Sequence, residues 1–356
     1  MPLHKTTQVR IEAFALIAGI VLLAFLLRFE ISVDGAVRYR MLQMLIDEHR
    51  IPPGPYSLLQ CLGAAPLYIL GKAAGHPEGF VERFNVVVFC GMLFVLYQRL
   101  SRWTEASLLW HWFLLMLTGS MFLHHLRMFF TEVFSTASVV IGLAGIVTNT
   151  PVAGALAMSI GVINSPAMIV PLTLIVLKMA WDDRKFWYFL MPIASLVGIC
   201  VEAWVRRGSP FLTGYEGDRG YETQLPYSGL PGFSYPFILG VLSILFSFGK
   251  GLFFFVPGLV LCPKTIERTS VRGPLRRLQE LLLLFVAGMI LVYAKWWAWY
   301  GGWYWGPRFF LLACVPASLA LAIHLRDFGD RLAKKVFVLS LLILSVWVAI
   351  DGAIFG

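Results

Sequence analysis

Two carboxylates and two cations stand out in a chain that is otherwise poor in charge. Asp34 comes within a few residues of the first apolar run, in "RFEISVDGAVRYRMLQMLIDEH". A carboxylate at the mouth of a membrane can take a proton from an aqueous hydroxyl. The same aspartate would also cap the helix that follows, and the residues alone leave both roles open. Glu132 opens an apolar helix after "HHLRMFF". A helix N-terminus favours negative charge whatever its function; the functional alternative is that Glu132 orients Asp34 or a bound sugar. Lys250 sits between glycines in "SFGKGLFFFVP". A lone charge at the bilayer centre costs about 2.5–3.5 kcal/mol on insertion scales, so Lys250 belongs at the outer boundary or beside an anion. Arg308, in "GPRFF", opens a late apolar segment on the same face. Two cations at one interfacial level suit a phosphate, with arginine supplying two parallel donors. Snorkelling to lipid phosphates would place them there too.

The surroundings of these four residues are aromatic and polar. The run "WWAWYGGWYWGPRFF", 296–310, contains Trp299, Tyr300, Trp303 and Trp305. Tryptophan and tyrosine favour membrane interfaces in any protein, but flat rings beside glycine-exposed amides also suit the faces and hydroxyls of a sugar. Tyr215 belongs to a second such stretch, "GYEGDRGYETQLPY", 214–227. Arg127 and His125, with His124, share the turn before Glu132. Adjacent histidines fit one tetrahedral metal site poorly. A divalent metal is therefore possible but unsupported, and the residues establish no cofactor.

The elements that must position these residues are membrane spans. Charged residues make up 14% of the 356 and hydrophobic ones 58%, with mean hydropathy +0.76. A soluble domain carries about 25% charged residues, so the composition describes an all-α polytopic membrane protein with no separate soluble domain. Apolar runs place spans near 11–29, 80–98, 105–123, 131–148, 152–163, 167–181, 186–205, 281–297, 309–325 and 336–355, and the stretch 233–262 is broken at "SFGKG". That makes about eleven crossings of roughly 20 residues each. The first run has no small-residue cleavage site after it and reads as an uncleaved span. Between it and the second span, residues 35–49 have apolar positions at Val37, Met41, Leu42, Leu45 and Ile46. That spacing predicts an interfacial helix, stopped by "RIPPGPY". A second short piece, 58–70, follows. Basic residues orient the chain. One set of connections includes Lys5, Arg10, Arg99, Arg102, Lys178, Arg184, Lys185, Arg326 and the five in "CPKTIERTSVRGPLRR". By the positive-inside rule these are cytoplasmic, which puts the N-terminus inside, the C-terminus outside, and the stretches 30–79, 206–232 and 297–308 together on the outer face. The net charge of +9 follows from the same rule and does not call for nucleic acid. Cys61, Cys90, Cys200, Cys262 and Cys314 show no paired spacing and read as small packed hydrophobes.

In this order the segments resemble the GT-C superfamily of membrane glycosyltransferases, within it the branch of protein O-mannosyltransferases and lipid A aminoarabinose transferases. The resemblance rests on Asp34 in "VDGAVRYRMLQML", then "GPYSLLQCLGAAPLYILG", "FVERFNVVV", "FFTEVFSTA" with Glu132, "LTGYEGD", "SFGKGLFFFVP" and "WYGGWYWGPRFF". It departs from the family pattern at Asp34-Gly35, where an Asp-Glu pair is usual, and at "GPY", where a lysine-containing turn is usual. The resemblance implies a single GT-C-like domain over 1–356 in a bacterial plasma membrane. It also implies a polyprenyl-phosphate sugar as donor, and an acceptor hydroxyl on an unidentified glycan, lipid or protein. Lys250 and Arg308 would hold the phosphate, Asp34 would act as general base, and direct displacement would invert the anomeric carbon. The alternatives are a transporter or flippase of lipid-linked sugars, for which no internal repeat is visible, and a lipid-linked oligosaccharide ligase or polymerase.

Overall fold

The structure is a computed structural model and describes residues 2–216, 230, 232–266, 273–327 and 331–356. Parts of two stretches emphasised above, 217–227 of the outer tyrosine-rich segment and Arg268 and Arg272 of the basic connection, lie outside the described residues. Among the described residues the chain is helical, with one isolated parallel bridge between Glu30 and Met128. In chain order the helices are α1 (Pro2–Leu26), α2 (Val33–Ile46), α3 (Leu59–Ala73), α4 (Pro77–Glu82), α5 (Phe84–Leu100), α6 (Ala106–Thr118), α7 (Phe122–His125), α8 (Glu132–Val147), α9 (Pro151–Asn164), α10 (Ile169–Asp183), α11 (Leu190–Arg207), α12 (Phe237–Phe246), α13 (Leu252–Phe255), α14 (Cys262–Ile266), α15 (Gly273–Tyr293), α16 (Cys314–Arg326) and α17 (Leu332–Phe355). Short 3-10 segments of three to six residues precede α10, α11, α14 and α16.

Among the described residues four helical runs are long and apolar enough to cross a membrane: Pro77–Leu100, Phe186–Arg207, Arg308–Arg326 and Leu332–Phe355. Ala106–Thr118, Glu132–Val147, Pro151–Asn164 and Phe237–Phe246 are apolar but shorter. Several boundaries differ from the apolar pattern for identifiable reasons. The run expected at 105–123 stops at Thr118, before Gly119. The one expected at 281–297 begins at Gly273, because Leu275, Leu278 and Leu282 continue its buried face, and it ends at Tyr293, before the tryptophans. Helix α2 forms where its spacing predicts, but its enclosed face is Gly35, Arg38, Tyr39, Met41 and Leu42, while Val37 is exposed.

Small residues set the packing. Without a hydrophobic drive between helices in lipid, close backbone approach supplies the contact energy. Helices α8 and α9 meet through glycines: a Cβ on Gly142 would lie 2.8 Å from the Gly154 carbonyl oxygen, and one on Gly154 would lie 2.6 Å from that of Gly142. The central helix is α16, every residue of which from Cys314 to His324 is buried. Its alanines admit the neighbouring 3-10 turn, where Gly258 faces the Ala317 carbonyl with no room for a side chain. The turn that leads into α16 begins with Arg308.

Candidate functional site

Segments far apart in the chain converge on Asp34. It lies in the first turn of α2, directly after Val33, whose φ is +42°. A β-branched residue there is a backbone outlier that costs on the order of 1–3 kcal/mol. A Cβ on Gly35 would stand 3.2 Å from the Phe129 carbonyl oxygen. That contact favours glycine beside Asp34: α2 approaches the segment before α8 closely enough that a side chain at residue 35 would require Phe129 to shift by a few tenths of an ångström.

Both oxygens of Asp34 are engaged. Arg308 Nη1 donates to Oδ2 at 2.8 Å, a pairing of residues 274 apart, and Tyr56 Oη donates to Oδ1 at 2.8 Å. Arg308 Nε is 3.7 Å from Glu132 Oε1. The guanidinium also lies 4.2 Å from the centroid of the Tyr304 ring, with Phe130 and Phe309 at 5.5 and 5.2 Å. Arg308 and Glu132 are only 9% and 7% exposed. The result is a buried carboxylate–guanidinium–carboxylate array walled by rings, in which each charge interacts more strongly than it would in water.

Glu132 is held in place by amide side chains. Asn85 Nδ2 donates to the carbonyls of Met128 at 2.6 Å and Phe130 at 3.0 Å. Gln60 Nε2 donates to the Phe130 carbonyl at 3.0 Å. Asn164, at the end of α9, donates to Ser135 Oγ at 2.8 Å and to Thr131 Oγ1. The first turn of α8 therefore has few alternatives to its observed path.

Tyr56 belongs to the proline-rich turn between α2 and α3, and α11 clamps that turn. Glu202 accepts from Ser57 Oγ and from the Leu58 N–H, both at 2.8 Å. Arg206 pairs with Glu202 at 2.8 Å and donates to the carbonyls of Pro52 and Tyr56; Arg207 donates to that of Gly54. The 212–216 loop packs on the other side, with Gly214 (φ +87°) too close to Pro55 for any side chain. The backbone N–H of Thr213 and its hydroxyl hold the exposed Glu216 carboxyl down to about 2. Burial first, then the charge of Asp34, pushes the Tyr56 phenol upward, so it remains a hydroxyl donor at physiological pH.

The other residues singled out from the sequence divide in two. Lys250 reaches the same region by a different route. Its ammonium donates to the carbonyls of Gly302 (3.2 Å), Tyr304 and Gly306 (3.0 Å). All three protons are thus committed to the loop that presents Arg308, a loop whose Gly301, Gly302 and Gly306 each have positive φ. Tyr304 packs on Arg308, whereas Trp299 and Tyr300 are buried against Tyr235 and each other. Trp305 donates to Asp351 at 2.7 Å and Trp303 is 84% exposed. Tyr215 faces Trp296 at 6.4 Å. His124 and His125 engage different carbonyls, those of Gly352 and Met121, and Arg127 donates to the carbonyls of Arg28 and Ala353. His124 and Arg127 thereby fasten the end of α17 to the turn before α8, while the His125 bond is local. Three residues of the array were not singled out in the sequence: Tyr56, Tyr304 and Arg38, whose guanidinium lies 4.4 Å from the Tyr56 ring centroid. Arg38 had a readable signal, since it stands four residues after Asp34 on one helix face.

No protein-family model matches the chain, and neither a curated protein nor a solved structure shows significant similarity to it.

Proposed function

We propose that this protein is an integral membrane glycosyltransferase of the GT-C type. It would move a sugar from a polyprenyl-phosphate donor to an acceptor hydroxyl at the outer face of the membrane. In this reading about eleven segments cross the bilayer, the N-terminus is cytoplasmic, and the ends of α2, α8 and the turn before α16 meet on the exoplasmic side. One observation carries the proposal: a part-buried aspartate with a buried glutamate and a buried arginine, from three distant segments, share one ring-walled array at 2.8 and 3.7 Å. A packing role alone gives little reason to bury two carboxylates on one cation, because desolvation offsets most of the pair energy.

The chemistry follows from which oxygen is free to exchange. Asp34 Oδ2 is tied to Arg308, so an acceptor hydroxyl would displace Tyr56 from Oδ1. Its proton would pass to Oδ1 as its oxygen bonds to the anomeric carbon. The bond from that carbon to the donor phosphate breaks, and the electron pair leaves on the phosphate oxygen. The leaving group departs as polyprenyl phosphate, already ionised, so no general acid is needed and the anomeric carbon inverts. Arg308 would stabilise the charge gathering on the leaving oxygen. Lys250 supports this indirectly by holding the loop that carries Arg308.

The test is transfer by the purified chain from a panel of polyprenyl-phosphate sugars. Asp34→Asn is expected to lower turnover by about 10²–10⁴-fold, the usual weight of a general base, with donor binding retained. Full turnover in Asp34→Asn, or transfer from no donor in the panel by the wild-type protein, would sink the reading.

A further inference from the structure

Arg38 is the least satisfied charge in the described part of the molecule. It is 4% exposed, and both Nε and Nη1 are buried with no hydrogen-bond partner. Among the described residues its guanidinium lies over the face of Tyr56, and a ring attracts a cation without accepting its N–H bonds. Glu132 mirrors this from the other side. Its Oε2 is buried and unpartnered, while Oε1 lies 3.7 Å from Arg308 Nε, too far for a hydrogen bond. Arg38 acts electrostatically on Glu132, yet the two do not pair. A buried guanidinium left without an anion is strongly unfavourable, so an arginine kept in this condition calls for an anionic partner that the described residues do not provide.

We propose that Arg38 is a phosphate-binding residue of this site, taking the role expected of Lys250, whose three protons are already spent on carbonyls. The inference rests on the lipid-phosphosugar reading for the identity of the ligand, a phosphate ester joined to a sugar. The unmatched groups fit such a ligand. The unpartnered Nε and Nη1 of Arg38 would donate to phosphate oxygens, and Glu132 Oε2 would accept from a sugar hydroxyl. Asp34 sits one helical turn from Arg38, which puts the base beside the bond to be broken. Tyr56 links the two, with its ring under Arg38 and its hydroxyl on Asp34.

The experiment measures binding to the full-length chain in detergent. The probes are a short-chain polyprenyl phosphate, the matching polyprenol, and inorganic phosphate, each applied to wild type, Arg38→Gln and Arg38→Lys. Wild type is expected to prefer the lipid phosphate over the alcohol. Arg38→Gln should bind the lipid phosphate about 10- to 100-fold more weakly, the range for losing hydrogen bonds to a charged group, while its affinity for the alcohol is unchanged. Arg38→Lys keeps the charge without the forked donors and should fall between. Removing an unpaired buried charge should also leave the thermal midpoint of the ligand-free protein unchanged or raised, which a purely structural arginine would not do. Unaltered lipid-phosphate affinity in both variants overturns the role of Arg38 and leaves the transferase reading intact. If inorganic phosphate protects wild type but not Arg38→Gln, with no preference for the lipid, Arg38 stands as an anion ligand and the lipid-linked donor falls. A wild-type protein indifferent to every phosphate overturns both.

Discussion

Replacing Arg308 with methionine should destabilise the protein by roughly the cost of stranding a buried carboxylate, about 3–5 kcal/mol. The structure says why the loss exceeds the value of the interaction itself. At 2.8 Å to Asp34 and 3.7 Å to Glu132, each attraction is about 4–6 kcal/mol gross at an effective dielectric of about 20. Desolvating a guanidinium and a carboxylate costs several kcal/mol per ion, so the intact array is near balance. Methionine keeps the volume and the apolar contact with Tyr304 but removes the cation that touches both acids. Glu132, 7% exposed, is then left charged and unpaired, or protonated at a cost. The second substitution decides the matter. Adding Glu132→Gln to Arg308→Met removes the stranded charge, and the double variant should recover about 1–3 kcal/mol of the loss, the range for directly coupled residues. Reversible unfolding in mixed micelles, followed by the fluorescence of the 12 tryptophans, measures all four corners of the cycle. Arg308→Met as stable as wild type, or a double variant no better than the single one, would refute the claim that these three residues form one electrostatic unit.

The remaining predictions concern the supports of the array. Lys250→Met should cost about 2–4 kcal/mol, because three carbonyls of the 302–306 loop lose their donor at once. Lys250→Arg should not restore it, since a planar fork cannot cap three convergent carbonyls; the same unfolding assay reports both. Tyr56→Phe frees Asp34 Oδ1 in the resting enzyme, so the kcat/KM for acceptor should rise by up to about tenfold, the value of one hydrogen bond to a charged group; a fall beyond that would make the phenol a participant rather than a competitor. Asp47, at the end of α2, is held below the ordinary carboxylate range by hydrogen bonds from Lys72 and Tyr68, against some desolvation. A depressed folded value means that its contribution is complete above the ordinary carboxylate range and is lost as pH falls through the lowered one. Acid unfolding curves of wild type and Asp47→Asn should therefore converge at low pH and separate at neutral pH.

Chemistry-bearing residues were easier to read from the sequence than the contacts that decide their use. Asp34, Glu132 and Arg308 were legible because a charge at the end of an apolar run has few inexpensive explanations, and the structure brings all three together. Lys250 was legible as a cation that needed a partner, but its partner is backbone. Nothing in the residue types reveals that three carbonyls converge, since that depends on three positive-φ glycines bending one loop. The reverse holds for Arg38, which looks in the sequence like one of several charges on an interfacial helix. Its burial depends on α2 being turned so that Gly35 meets the Phe129 carbonyl. That rotation also exposes Val37, which the apolar spacing had placed on the enclosed side.

The strain at Val33 and the open valences of Arg38 and Glu132 belong to one arrangement. For Asp34 to reach Arg308, α2 must begin abruptly after Ser32, and the residue at the bend adopts φ +42° although it is β-branched. Strain of this kind persists only where surrounding contacts over-determine it. Here they do: the Glu30 N–H donates to the Arg127 carbonyl at 3.1 Å just before the bend, and just after it Gly35 is pressed against Phe129. The same contacts that force the bend keep Arg38 inside and away from Glu132. A chain selected for stability alone could relax all three faults with ordinary substitutions, a glycine at 33 and neutral residues at 38 and 132. Val33 and Arg38 flank Asp34 on α2 and Glu132 shares its Arg308, so the three faults gather at the ion pair that joins α2 to the turn before α16, where the proposed anionic ligand would meet the unsatisfied Arg38 and Glu132.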